Sequence, residues 1–116
     1  MATKKSKVLR ASAILTGSAV ASTSFSLDTT IGSKCSIVLD VTIGSLSLVT
    51  FAFQVSSDDS TYTPYMLESG FSSVNIDATG TLSVTVHAPG WKYLQVTALG
   101  TGTATNSTAT ITARYV

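Results

Sequence analysis

The chain has 116 residues and a mass of 12.0 kDa, which is room for one domain around one core. Only 11% of its residues are charged and 44% are hydrophobic, while Ser (18) and Thr (19) supply the missing polarity, a composition that favours strands over helices. The net charge of +1 gives no bulk reason to expect nucleic acid or a membrane as partner, and no segment approaches the ~20 apolar residues of a membrane-spanning helix.

The charge is unevenly placed. Lys4, Lys5, Lys7 and Arg10 put four cations in the first ten residues, and the rest of the chain is mildly acidic. The expected organisation is therefore a basic N-terminal arm, residues 1–10, ahead of a β-sandwich domain, residues 11–116. An arm with so little apolar surface needs a neighbouring subunit to hold it, so the four cations are candidate partner-binding residues for an acidic groove on that neighbour. The same region imitates a secretory signal, ending in Ala19-Val20-Ala21. Its apolar stretch is broken by Ser12, Thr16, Gly17 and Ser18, so retention of these residues is expected.

Along the chain the dominant pattern is period-2 alternation broken by turn residues. Residues 9–15 and 19–27 alternate on either side of Thr16, Gly17 and Ser18, which predicts a hairpin there. Residues 36–43 send Ile37, Leu39, Val41 and Ile43 to one face, with Val38 interrupting the polar one. Residues 48–56 place Val49, Phe51, Phe53 and Val55 on one face, and this strand is expected at the centre of a sheet. Residues 57–60 (SDDS) read as a turn. Pro64 excludes a central strand from residues 61–70, where Tyr62, Tyr65, Met66 and Leu67 are expected to cap one end of the core. Val74 and Ile76 open a short strand, with a tight hairpin expected at Ala78, Thr79 and Gly80 before Leu82, Val84 and Val86. Pro89-Gly90 turns the chain into residues 91–99, a turn is expected at Gly100, Thr101 and Gly102, and residues 108–116 close it. About eight short strands result, the pattern of a single antiparallel β-sandwich of jelly-roll type.

The inventory of reactive groups is thin. His87 is the sole histidine, it alternates onto a polar strand face, and no Gly-x-Ser-x-Gly elbow accompanies it. One histidine and one cysteine fall short of a zinc ligand set, and the scattered glycines build no phosphate loop. Asp58-Asp59 reads as a solvated turn before a calcium ligand pair. Cys35 has no partner for an internal disulfide and sits in an apolar run, where a small buried hydrophobe is expected. No catalytic residue, cofactor or metal is expected, and the chain reads as a non-enzyme. Tyr62, Tyr65 and Trp91 are candidate ligand or interface aromatics. Rings near sandwich loops stack on sugars, but core edges and protein interfaces use the same residues.

Three segments carry a resemblance. Residues 53–64 (FQVSSDDSTYTP) resemble a strand–turn–strand unit of small structural proteins of tailed bacteriophages with jelly-roll or discoidin-like sandwiches. Residues 90–97 (GWKYLQVT) are similar to a late strand of those proteins, and residues 100–111 (GTGTATNSTATI) to their Gly/Thr-rich closing hairpin. Asp59 stands where that family often has glycine, and Tyr62 where it has tryptophan. The resemblance implies a virion component assembled in the host cytoplasm, a capsid decoration (cement) protein or a tail accessory. Its partners would be capsid or tail proteins and further copies of itself. The alternative is a carbohydrate- or receptor-binding module of a tail or fibre.

Overall fold

A computed structural model describes residues 4–15, 20–67, 70, 72–102 and 106–116. Among them ten strands follow in order: β1 (Lys5–Ile14), β2 (Val20–Ala21), β3 (Phe25–Ser26), β4 (Lys34–Thr42), β5 (Leu48–Ser56), β6 (Thr63–Pro64), β7 (Ser73–Ile76), β8 (Gly80–His87), β9 (Tyr93–Thr101) and β10 (Thr108–Tyr115). A single 3-10 turn, Leu27–Thr29, follows β3. All pairings are antiparallel. One sheet has the order β1-β10-β4-β8; the other has β9 and β5 at its centre, with β2 and β3 beside β9 and β6 and β7 beside β5.

Alternation decides which face of each strand enters the core. Cys35, Ile37, Leu39 and Val41 of β4 are buried, as are Ala113, Ile111 and Ala109 of β10, the direct partners of the last three. Across the interior they face Val49, Phe51, Phe53 and Val55 of β5 and Leu94, Val96 and Ala98 of β9. Burying each large side chain contributes roughly 1.5–3 kcal/mol, so the two sheets are held chiefly by this apolar layer. β5 is central, as its sequence predicts, and Cys35 is 3% exposed.

Two strand positions are broken, which accounts for ten segments where about eight are expected. β2 and β3 lie along the same neighbour, β9, and the pairing slips by one residue between them. At that bulge the buried Ser22 hydroxyl accepts the Val96 N–H at 3.1 Å, and the Ser22 N–H donates to the Val96 carbonyl at 2.8 Å. Likewise β6 and β7 both lie along β5, and between them the Tyr65 N–H donates to the Phe53 carbonyl and the Phe53 N–H to the Ser72 carbonyl, both at 2.9 Å. Counting each broken pair as one strand gives two four-stranded layers with jelly-roll-like order.

The structure corrects four expectations. Residues 5–10 are not a free arm but the first part of β1, paired with β10 of the same chain, and Leu9 is buried. The boundary at residue 10 therefore falls inside a strand. Lysines are tolerated there because β1 is an edge, where side chains at the rim reach water. β1 and β2 belong to different sheets, as do β7 and β8, so neither pair forms the expected hairpin, and residues 78–80 cross between the sheets. Residues 16–18 themselves lie outside the described residues. Gly100 is not in a turn: it is a buried position of β9 opposite Val49. Of the residues expected to cap the core, Leu67 is buried and Tyr65 packs on it, whereas Met66 is 63% exposed.

Candidate assembly surfaces

The first surface is the basic edge. In register, Lys5 pairs with Tyr115, Lys7 with Ala113 and Arg10 with Ile111, and two bulges interrupt β1 on either side of Arg10. The Arg10 Nε donates to the Ala109 carbonyl at 3.4 Å, so this cation is partly spent inside its own sheet. Lys4 and Lys5 instead line a shallow hollow of about 750 Å³ with Arg114, Ser36, Val38 and Ser83. The four sequence-predicted cations are thus divided. Two border the hollow, Lys7 lies further along the edge, and Arg10 is tied to β10. Arg114, which the sequence did not single out, joins the first two only because β10 returns beside β1.

The hollow opens on a face coated with hydroxyls. Outward positions are Thr108, Thr110, Thr112 and Arg114 on β10, Lys34, Ser36, Val38, Asp40 and Thr42 on β4, and Thr81, Ser83 and Thr85 on β8. The outer face of the other sheet is shorter of charge, with none at the outward positions of β5, β7 and β9. There the Gln54 side-chain amide donates to that of Gln95 at 2.6 Å, and the Thr50 hydroxyl donates to Asn75 at 2.9 Å. Hydroxyls and amides are cheaper to desolvate than charges when backbone or bridging water can satisfy them, so such faces suit burial against another protein.

The second surface is the sandwich end formed by residues 27–33, 57–62 and 88–92. After β5 the chain turns on Asp58, whose Oδ1 accepts the N–H groups of Ser60 and Thr61, both at 2.9 Å, and the Ser56 hydroxyl. These donors hold the carboxylate below its ordinary pKa. The fully buried Ser56 hydroxyl in turn accepts the N–H groups of Asp58 and Asp59. Asp59 has φ 59°, the left-handed conformation that glycine adopts freely and Asp tolerates, so Asp59 supplies the turn that glycine supplies in the proteins this segment resembles.

Of the three candidate aromatics, two use their hydroxyls internally. The Tyr62 hydroxyl donates to Asp59 Oδ1, whose other oxygen accepts from Ser24 at 3.1 Å. Burial, and then the Asp59 carboxylate, push the Tyr62 phenol up to about 12. The Tyr65 hydroxyl donates to the His87 carbonyl at 2.8 Å and accepts the His87 N–H at 3.1 Å. Trp91 is different: its side chain is 37% exposed in a loop fixed by the Trp91 N–H to Ala88 carbonyl bond. Exposed Ile31 and Val116 lie at the same end, joined by a backbone hydrogen bond of 2.8 Å. Burial raises the Cys35 thiol to about 12, which keeps it protonated. Among the described residues no helix is long and apolar enough to cross a membrane.

Two facing antiparallel sheets around a chiefly apolar interior define the chain as a β-sandwich protein. No protein-family model matches it, and no curated protein sequence does. Solved structures do share the fold. One is the SPBc2 prophage-derived protein YomS, 13% identical, with a TM-score of 0.61 over 97% of this chain and 92% of that one. Another comes from Bacillus endospore appendages, described as a family of disulfide-linked pili. It is 20% identical, with a TM-score of 0.57 over 98% of this chain and 88% of that one.

Proposed function

We propose that the chain is a non-enzymatic structural protein of a bacteriophage virion, a capsid decoration (cement) protein that binds the shell and its own copies through protein–protein contacts. The observation that carries this reading is the likeness to a prophage-derived protein along nearly the full length of both chains. Two features of this molecule support it: a charge-poor outer face of hydroxyls and amides on the second sheet, and a basic edge where Lys4, Lys5 and Arg114 border one hollow. The cations on that edge suit an acidic surface of the shell protein, with Lys5 and Lys7 presented by a strand, and Lys4 just before it, rather than by a free arm.

A second reading, a subunit of a surface fibre, is favoured by the likeness to the endospore pilus protein. Disulfide linkage of that kind is closed to Cys35, the one cysteine of the sequence, which is buried within β4. A glycan- or receptor-binding tail module would rest on Trp91 alone among the three aromatics, since Tyr62 and Tyr65 are committed to holding loops.

Immunogold labelling of particles and cells from the source culture separates these readings. Regularly spaced label on phage heads is the expected result. Label confined to tails or fibre tips moves the assignment to the tail module, label on cell-surface filaments to the fibre subunit. Particles without label overturn the virion reading.

A further inference from the structure

The two edges of the first sheet are protected very differently. β1 carries two bulges and three cations, both of which discourage a foreign strand from pairing. β8 has neither. Its pairing with β4 runs without interruption from Lys34–His87 to Val41–Gly80, and its first seven residues (GTLSVTV) contain no charge and no proline. Both backbone groups of His87 are taken by the Tyr65 hydroxyl, so they point away from β4. Because backbone direction alternates in an antiparallel ladder, those of Thr85, Ser83 and Thr81 point the same way. Among the described residues none of these three makes a backbone hydrogen bond on that side. Three N–H and three C=O groups line an open edge.

The side chains along this edge are also incomplete. Leu82 pairs with the fully buried Leu39 on the core-facing side, yet is 40% exposed because no strand flanks it. Beside it a hollow of about 280 Å³ opens along the flank of the sandwich, lined by Ile76, Ala78, Gly80 and Leu82 among others.

We propose that β8 pairs antiparallel with β8 of a second copy about a two-fold axis through Ser83, joining two four-stranded sheets into one of eight. The strand is self-complementary in that register. Ser83 meets Ser83 of the copy, Thr81 meets Thr85, and Leu82 meets Val84, so hydroxyls oppose hydroxyls and the two apolar positions cover each other. No like charges are brought together, and the six backbone groups of residues 81, 83 and 85 each find a partner. The pairing stops at His87, where Tyr65 occupies the edge. Such a two-fold contact is the commonest way for identical chains to associate. It deepens the proposed assembly role and rests on that reading only for the second copy. Five paired residues make a small interface beside the ~800 Å² per partner of a standard one, so association should be visible only at high concentration in free solution.

Sedimentation of the full chain from about 1 μM to about 1 mM should show a rise toward twice the 12.0 kDa chain mass. Ser83→Pro removes an N–H that makes no bond within the chain, so it should stay folded and monomeric throughout that range. Ser83→Lys tests the same contact without altering the backbone and should also be monomeric. Oxidised Ser83→Cys should form a covalent dimer, since hydrogen-bonded antiparallel partners stand about 5.5 Å apart at Cα, within disulfide reach. Thr112→Cys, in the middle of the same sheet, should not. A wild-type chain monomeric at every concentration overturns the proposal, as does association that survives both Ser83→Pro and Ser83→Lys. A dimer with these properties that never labels particles would overturn the virion role and leave this contact standing.

Discussion

The Tyr65 hydroxyl both donates to the His87 carbonyl and accepts the His87 N–H, so one phenol oxygen satisfies both free backbone groups at the end of β8. The residue belongs to the segment after β6 in one sheet, and the backbone it closes belongs to the other. Tyr65→Phe keeps the ring and deletes both bonds. A loss of about 1–2 kcal/mol in denaturant unfolding is expected, with faster hydrogen exchange of the His87 amide. Unchanged exchange would show that the phenol is not what protects this edge.

Asp58 gives a pH signature. Its folded pKa lies below the ordinary value of 3.8, so its contribution to the turn is fully present above that value and lost as pH falls beneath it, through the lower folded pKa. The amide resonances of Ser60 and Thr61 should therefore move together below pH 3.8. In Asp58→Asn the acceptor oxygen remains but cannot titrate, and those resonances should be flat over the same range. Movement in the Asn variant would assign the titration to another carboxylate.

Cys35 should be silent to thiol reagents in the native protein at pH 8 and react stoichiometrically once the chain is unfolded. Burial raises its folded pKa to about 12 from an ordinary value of 9.0. The linked stability is complete below the ordinary value and is lost as pH rises from there through the folded one. Rapid native labelling would mean that β4 opens locally.

Phe51 is fully buried in β5 between Ala98 of β9 and Val74 of β7. Phe51→Ala should cost about 3–5 kcal/mol, a large share of the ~5–15 kcal/mol available to a small domain. Lower soluble yield and a midpoint shifted by more than about 10 °C are expected in thermal melts.

Charge reversal on the basic edge tests attachment separately from folding. Lys4→Glu with Lys5→Glu should leave the melting temperature within a few degrees, because both side chains are exposed, and should abolish head labelling. Retained labelling would move the shell contact away from this edge.

The sequence made β4, β5 and β10 legible because their alternation is long and each has one fully apolar face. Alternation reports which face of a strand is buried, but not which sheet it joins, and so the β1–β2 and β7–β8 connections read as hairpins. The basic edge read as a tail for a related reason: lysines at a rim leave the same trace as lysines in a solvated leader, and Leu9 alone marks the difference. Ser22, Ser56 and Ser107 are buried hydroxyls that tie the ladder and loops together. Among eighteen serines in the sequence nothing distinguishes them until the partners are placed. Asp59 was legible as a departure from glycine, but its left-handed backbone was not.

The interruption between β6 and β7 bears on how the molecule tolerates change. Gln54 pairs with Pro64 and Ala52 with Ser73, so the chain holds seven more residues than the ladder needs there while β5 keeps a partner on either side of them. Lengthening the connection after Leu67, with Tyr65 and Leu67 kept, should shift no ladder register and cost little, because closure entropy grows only slowly with length. It is the natural place to graft an epitope, and a lattice of such proteins would then present that peptide in many regularly spaced copies.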